Sequence, residues 1–322
     1  MCSEFDLIQR YFKKSHTNAI LGIGDDAALI AVTPGHELAL STDTLVSGRH
    51  FFADADPYQL GYKSLAVNLS DMAAMGAKPR WVMLALTLPE ALAKHPGWLA
   101  EFSKGFFELA DRHQVQLIGG DTTAGPLAIC VQITGEVAAG QALRRSGARL
   151  GDDIWVSGRL GSAALALKHE LKQIALTPNE LAQCLPALLT PVARVELGQR
   201  LTGLAHSAID VSDGLLADLG HILESSEQAA CIHLEDIPCA AELKKRMPQP
   251  AALQCLLAGG DDYELCFTAP KIHREPIDRL AAELILPLTR IGEIVAGEGL
   301  IVKDALGNRI TMEINGYDHF RA

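Results

Sequence analysis

Aromatic residues make up only 5% of this 322-residue sequence. No apolar run approaches the ~18 residues that a membrane-spanning helix needs. The longest, residues 81–88, stops at Pro89. Membrane partners are therefore not expected. The seven cysteines are scattered and contain no C-x-x-C pair, which argues against a zinc site or a disulfide framework. Positive charge is also short: 28 Lys and Arg stand against 39 Asp and Glu, a formal charge of −11. A field of that sign disfavours nucleic acid and anionic lipid. The N-terminus has neither the basic start nor the cleavage site of a signal peptide, so a cytoplasmic location is expected. There is no G-x-x-x-x-G-K-[ST], no G-x-G-x-x-G after a strand, no H-E-x-x-H and no G-x-S-x-G. P-loop, dinucleotide, zinc-hydrolase and serine-acyl chemistry drop away with them.

What remains is ordinary globular composition, 48% hydrophobic and 21% charged. The length suggests roughly two domains. Helical spacing predicts helices over residues 4–14, 57–75 and 98–113, and strands are expected over 37–42, 81–88, 115–118 and 127–133. Residues 139–153 lose apolar periodicity and become rich in Gly, Arg and polar residues. The expected division is a domain over residues 1–138, a linker over 139–152 and a second domain over 153–322. In the second half, strands are predicted at 154–157 and 263–268, and Ala208-Ile209-Asp210-Val211-Ser212-Asp213-Gly214 leads into a helix over 215–225. Gly158-x-x-Gly161 reads as a strand-to-helix turn, 192–204 as a helix, and 288–314 as strands with a turn at 304–308. Each half is expected to be an α/β or α+β sandwich.

The informative feature is a set of aspartates on glycine-rich loops: Asp25 and Asp26, Asp43, Asp121, Asp210 and Asp213, and Asp261 and Asp262, with Asp71 on a helix. Asp holds its carboxylate close to the backbone, and glycine permits a sharp turn and the approach of a phosphate to the main chain. A single Gly-Asp pair is usually only a turn. The number of acids beside hydrophobic strands makes that account weak. Clustered carboxylates repel, and hard cations with oxygen ligands, Mg²⁺ beside phosphates in particular, relieve the repulsion. Asn68, one turn before Asp71, is placed to orient it.

Seven segments carry a resemblance. They are Gly22-Ile23-Gly24-Asp25-Asp26-Ala27-Ala28; Ser41-Thr42-Asp43-Thr44 with His50-Phe51; Ala66-Val67-Asn68-Leu69-Ser70-Asp71-Met72; Gly119-Gly120-Asp121-Thr122; Arg145-Ser146-Gly147-Ala148; Ile209-Asp210-Val211-Ser212-Asp213-Gly214; and Gly316-Tyr317-Asp318-His319-Phe320. In this order they resemble the thiamine-monophosphate kinase family of the aminoimidazole ribonucleotide synthetase-like superfamily, over essentially the whole chain.

The resemblance implies a two-domain fold. The N-terminal sheet would pair across a homodimer into a barrel-like core, followed by a C-terminal α/β sandwich. It also implies ATP-dependent phosphorylation of thiamine monophosphate to thiamine diphosphate, assisted by several Mg²⁺ ions. Carried over, Asp26, Ser41, Thr42, Asp43, Asp71, Asp121, Asp210 and Asp213 are metal ligands, with Asp71 and Asp213 nearest the chemistry. Gly120, Asp121, Arg145 and Ser212 contact ATP, with Arg144 a neighbouring choice. His50, Asp261 and Tyr317 contact thiamine monophosphate. The sequence departs from the family at Asp261, where the family has Glu, and at Tyr317, where Trp is common. Alternatives left open are an aminoimidazole ribonucleotide or selenophosphate type synthetase, a metal-dependent phosphatase and a non-catalytic nucleotide-binding module.

Overall fold

The computed structural model describes residues 4–14 and 18–310. The chain forms two compact units. One runs to Met72 and resumes from Ala77 to Gly140; the other takes Ala73–Gly76 and the chain from Gln141 onward. Among the described residues no helix is long and apolar enough to cross a membrane.

The first unit contains α1 (Glu4–Leu7), β1 (His36–Val46), α2 (Pro57–Ala74), β2 (Lys78–Leu88), α3 (Glu90–Ala93), α4 (Pro96–Arg112), β3 (Gln116–Ala124) and β4 (Ala128–Ala138). The expected helix over 4–14 is α-helical only in α1 and continues as a π-helical turn, Ile8–Phe12. The four strands form one mixed sheet in the order β1-β4-β2-β3. Only β2 and β3 run parallel. One face of the sheet is core, with Leu84, Leu86, Ile129, Val131 and Ile133 packed in the same unit as Leu65, Leu69 and Phe102 from the helices. The other face leaves apolar side chains open to solvent: Leu40 is 64% exposed and Met83 41%.

Two local expectations change here. Gly119-Gly120-Asp121-Thr122, read as a loop after a short strand, lies inside β3, because β2 pairs with it from Gln116 to Ala124, with one register shift at Ile118. Asp43 lies inside β1, which runs four residues past the strand expected to end at 42.

The second unit contains β5 (Asp153–Ser157), α5 (Ser162–Glu170), α6 (Pro178–Leu189), α7 (Val195–Leu201), β6 (Ser207–Val211), α8 (Leu215–Ser226), β7 (Ala229–His233), α9 (Ala241–Lys244), α10 (Pro250–Ala258), β8 (Glu264–Ala269), α11 (Arg274–Leu284), β9 (Leu288–Val295), β10 (Leu300–Lys303) and β11 (Arg309–Ile310). Its sheet runs β11-β10-β7-β9-β5-β8-β6. Strands β5, β6 and β8 are buried along their whole length. Their apolar stretches, residues 154–156, 208–209 and 265–267, accordingly run without polar alternation. Their side chains join Leu165, Leu215, Leu219 and Leu256 in one core.

Candidate active site

The first unit offers side chains from a strand and a helix. Along β1 alternate residues share a face, so Ser41 and Asp43 point one way and Thr42 the other. The Ser41 hydroxyl donates to the Asp71 carboxylate, which α2 presents. The Asn68 amide, one turn before Asp71 on α2, donates to the Ser64 carbonyl at 3.1 Å. Thr42 Oγ1 donates to the Val131 carbonyl at 3.2 Å, on the neighbouring strand.

Register sets the distances across this sheet. Asp43 pairs with Val131, Val131 with Leu84, and Leu84 with Gly120. Asp121 belongs to the next row, with Ala85, Cys130 and Thr44. β1 and β3 are the two edges of the sheet. Three strand spacings separate them, about 14 Å, so within one chain Asp121 stands far from Asp43 and Ser41.

Asp26 lies exposed on a short hairpin closed by pairing of Leu21 with Leu29. Ala28 and Ile30 of that hairpin, with Ala19 before it, pack on Trp81 and Ile118. The Asp26 N–H donates to Asp25 Oδ1 at 3.0 Å. His50 follows β1 in a tight turn: its Nδ1 accepts from the Val46 N–H at 3.0 Å, so in the neutral ring Nε2 carries the proton.

In the second unit the candidate residues lie at the end of a strand and on the loops beyond it. Asp210 is the penultimate residue of β6 and is buried. Ser212, Asp213 and Gly214 follow. Their three N–H groups all donate to Asp218 Oδ2, at 3.1, 3.0 and 3.1 Å. Asp218, in the first turn of α8, is only 2% exposed. Burial chiefly pushes its carboxyl up to about 7; the Asp213 N–H works against this, and the Asp210 and Asp213 charges add to it. Asp213 therefore does not cap α8; Gly214 occupies the cap position and Asp218 does the binding.

A second loop lies along this one. Asp261 N–H donates to the Ser212 carbonyl at 2.9 Å and Tyr263 N–H to the Val211 carbonyl at 2.8 Å. Between them, a Cβ on Gly260 would stand 2.4 Å from the Ser212 oxygen, so only glycine lets the loops touch. Asp262 points inward, and its Oδ2 accepts from Gly161 N–H at 2.8 Å. Burial holds its carboxyl well above the usual range; the Gly161 N–H opposes this, and the Glu264 and Asp261 charges reinforce it.

Beneath these loops lies a buried ionic group absent from the sequence expectations. Arg194 grips Glu264 through Nε at 2.6 Å and Nη2 at 2.5 Å, and Ser157 Oγ donates to Glu264 Oε2 at 2.5 Å. A Cβ on Gly158 would fall 1.9 Å from Glu264 Oε1. The turn Gly158-x-x-Gly161 is thus the seat of the 261–264 loop. The signal in the sequence was the Glu three residues after Asp261. Ser226 was also missed. Its Oγ accepts from Gly147 N–H and Ala148 N–H, both at 3.1 Å, and donates to the Arg145 carbonyl at 3.2 Å. The Arg144 carbonyl accepts from Ala208 N–H at 2.9 Å, and both arginine side chains are exposed.

Tyr317 lies outside the described residues. Among the described residues, no three His, Cys, Asp or Glu side chains stand together as a ready metal cluster.

Residues 24–137 match the family model of the AIR synthase related protein N-terminal domain, and residues 149–305 that of its C-terminal domain. A thiamine-monophosphate kinase of Escherichia coli strain K12 is 46% identical over 326 residues, covering 99% of this chain and 98% of its own. The crystal structure of a thiamine-monophosphate kinase from Stenotrophomonas maltophilia K279a superposes with a TM-score of 0.83 at 50% identity, covering 88% of this chain and 91% of that one. The structure of AaThiL complexed with AMPPCP and TMP gives a TM-score of 0.78 at 32% identity, over 90% of this chain and 89% of that one.

Proposed function

We infer that this chain, which belongs to the thiamine-monophosphate kinase family of AIR synthase related proteins, transfers the terminal phosphoryl group of ATP to the phosphate of thiamine monophosphate, giving thiamine diphosphate and ADP. The observation that carries this reading is identity of 46% spread over the full chain. The relative bound to AMPPCP and TMP supports the same pair of substrates.

The chemistry suits the residues. The acceptor is a phosphate monoester with a second pKa of about 6, so near neutral pH its oxygen is already anionic. No general base is needed, and the task is to bring two anions together. Magnesium, when bound, supplies the positive charge that screens this repulsion and stabilises the transferring group. The residues fit such an ion: Ser41 and Asp71 present hard oxygen donors to each other, and Asp210 and Asp213 crowd Asp218 with negative charge that a cation would offset.

In this reading Asp26, Ser41, Thr42, Asp43, Asp71, Asp121, Asp210 and Asp213 hold metal, with Asp71 and Asp213 nearest the transferred group. Gly120, Asp121, Arg145 and Ser212 hold ATP. His50, Asp261 and Tyr317 hold thiamine monophosphate. Asp121 cannot reach an ion on Asp43 of its own chain across about 14 Å of sheet. A second copy that brings its β3 edge to the β1 edge completes the set. The exposed face with Leu40 and Met83 supplies apolar area for that homodimer. The cysteines that are described are free thiols, in keeping with a cytoplasmic enzyme.

The test is product analysis after incubation with ATP, Mg²⁺ and thiamine monophosphate. Thiamine diphosphate and ADP in equal amounts are expected. ATP consumed without thiamine diphosphate would overturn the acceptor.

A further inference from the structure

Asp261 and Tyr263 both take left-handed backbone conformations, with φ of 68° and 51°. Asp tolerates this region better than most residues, but a bulky Tyr adopts it rarely. The bonds to Ser212 and Val211 and the bare Gly260 hold both residues there. Such strain persists only where the surroundings over-determine it. The outcome is local and specific: the side chains of residues two apart turn onto one another, and the Tyr263 hydroxyl donates to Asp261 Oδ1 at 2.9 Å. Tyr263 is itself buried, so its ring has little freedom. A charged acceptor held by a fixed hydroxyl loses rotamer entropy before a ligand arrives rather than after.

We propose that Tyr263 is a positioning residue for substrate recognition, fixing the Asp261 carboxylate where it accepts a hydrogen bond from the amino-bearing heterocycle of the acceptor. The inference rests on the reading above, which gives Asp261 to thiamine monophosphate. It adds that the short side chain at 261 works because its neighbour aims it. Tyr263 touches neither phosphate nor metal in this scheme, so its loss acts on acceptor binding and not on transfer.

Tyr263→Phe keeps the buried ring and removes only the hydroxyl. The expected result is a rise of about tenfold in KM for thiamine monophosphate, the scale of one hydrogen bond to a charged group. The KM for ATP and kcat at saturation should stay within about twofold. Asp261→Ala should raise the same KM at least as far. Adding Tyr263→Phe to Asp261→Ala should then change nothing more, since the hydroxyl has no carboxylate left to aim. Calorimetric titration of thiamine monophosphate without ATP should follow the same pattern, which separates binding from turnover. Equal losses from Tyr263→Phe in both backgrounds would overturn the proposal in favour of a packing role, and so would an unchanged KM for thiamine monophosphate. A wild-type chain that makes no thiamine diphosphate would remove the functional reading and this inference together. That outcome is told apart by its appearing before any variant is compared.

Discussion

The candidate site residues of the two units are held by different means. In the first unit, Ser41 and Asp43 stand at alternate positions of β1 and Asp71 stands on α2, so regular elements aim the side chains. In the second unit, residues 212–214 and 259–263 are loops. They are held by backbone bonds to each other, by three N–H groups on one buried carboxylate, and by glycines against which no Cβ fits. The lesson is that a strand or helix orients a functional group with its own ladder, whereas a loop must borrow partners from elsewhere in the chain. The first kind of site therefore tolerates change around it. The second depends on residues that touch no substrate.

That contrast can be broken at several points. Asp71→Asn should lower phosphoryl transfer by about 10²–10³-fold, the scale of one electrostatic contact to developing charge, with an unchanged melting temperature. A large fall in stability would mean that the first unit's set is as interdependent as the second unit's. Gly158→Ala drives a Cβ into Glu264 and breaks its grip on Arg194 and Ser157. Parting such a buried pair costs about 3–5 kcal/mol. Denaturant melts should register the loss even without substrates.

Asp262 offers a sharper probe. Its carboxyl is held well above the ordinary range, chiefly by burial. The folded state therefore keeps a proton that the unfolded chain releases. Stability from this group is greatest below the unfolded pKa of about 3.9 and falls as pH climbs toward the folded value. Asp262→Asn has nothing to ionise. Its melting temperature should gain on the wild type as pH rises above the unfolded value of about 3.9, and parallel curves would show that burial does not strain the acid. The smallest effect is expected at Ser226→Ala. It frees the main chain at Arg145, Gly147 and Ala148, and the KM for ATP should rise about two- to threefold, with the KM for thiamine monophosphate unmoved.

Much of the fold was legible. The helix over 57–75 and the strand–loop–helix from Ala208 onward came from apolar spacing and a glycine stop. Helix α6 went unread although Thr177, Pro178 and Glu180 form a capping box with proline at its start. The signal was present and local. β7 and α11 also went unread. β3 failed for another reason. Nothing in Gly119-Gly120 favours a strand; the partner β2 imposes it.

The aspartates on the glycine-rich loops were visible as residues, and their spacing beside apolar runs was enough to suggest phosphate and cation chemistry; Asp218 and Glu264 were not singled out. Their partners were not visible. Ser41 lies thirty positions from Asp71, Gly161 lies 101 from Asp262, and Arg194 lies 70 from Glu264. By itself the sequence determined the long helices and apolar strands, the order of the motifs and the family, because each is written in neighbouring residues. Only the tertiary structure decided which acid is aimed by a helix, which is protonated by burial and which is held by a tyrosine. Those properties depend on the dielectric and the hydrogen-bond donors that surround a carboxylate, and distant parts of the chain supply both.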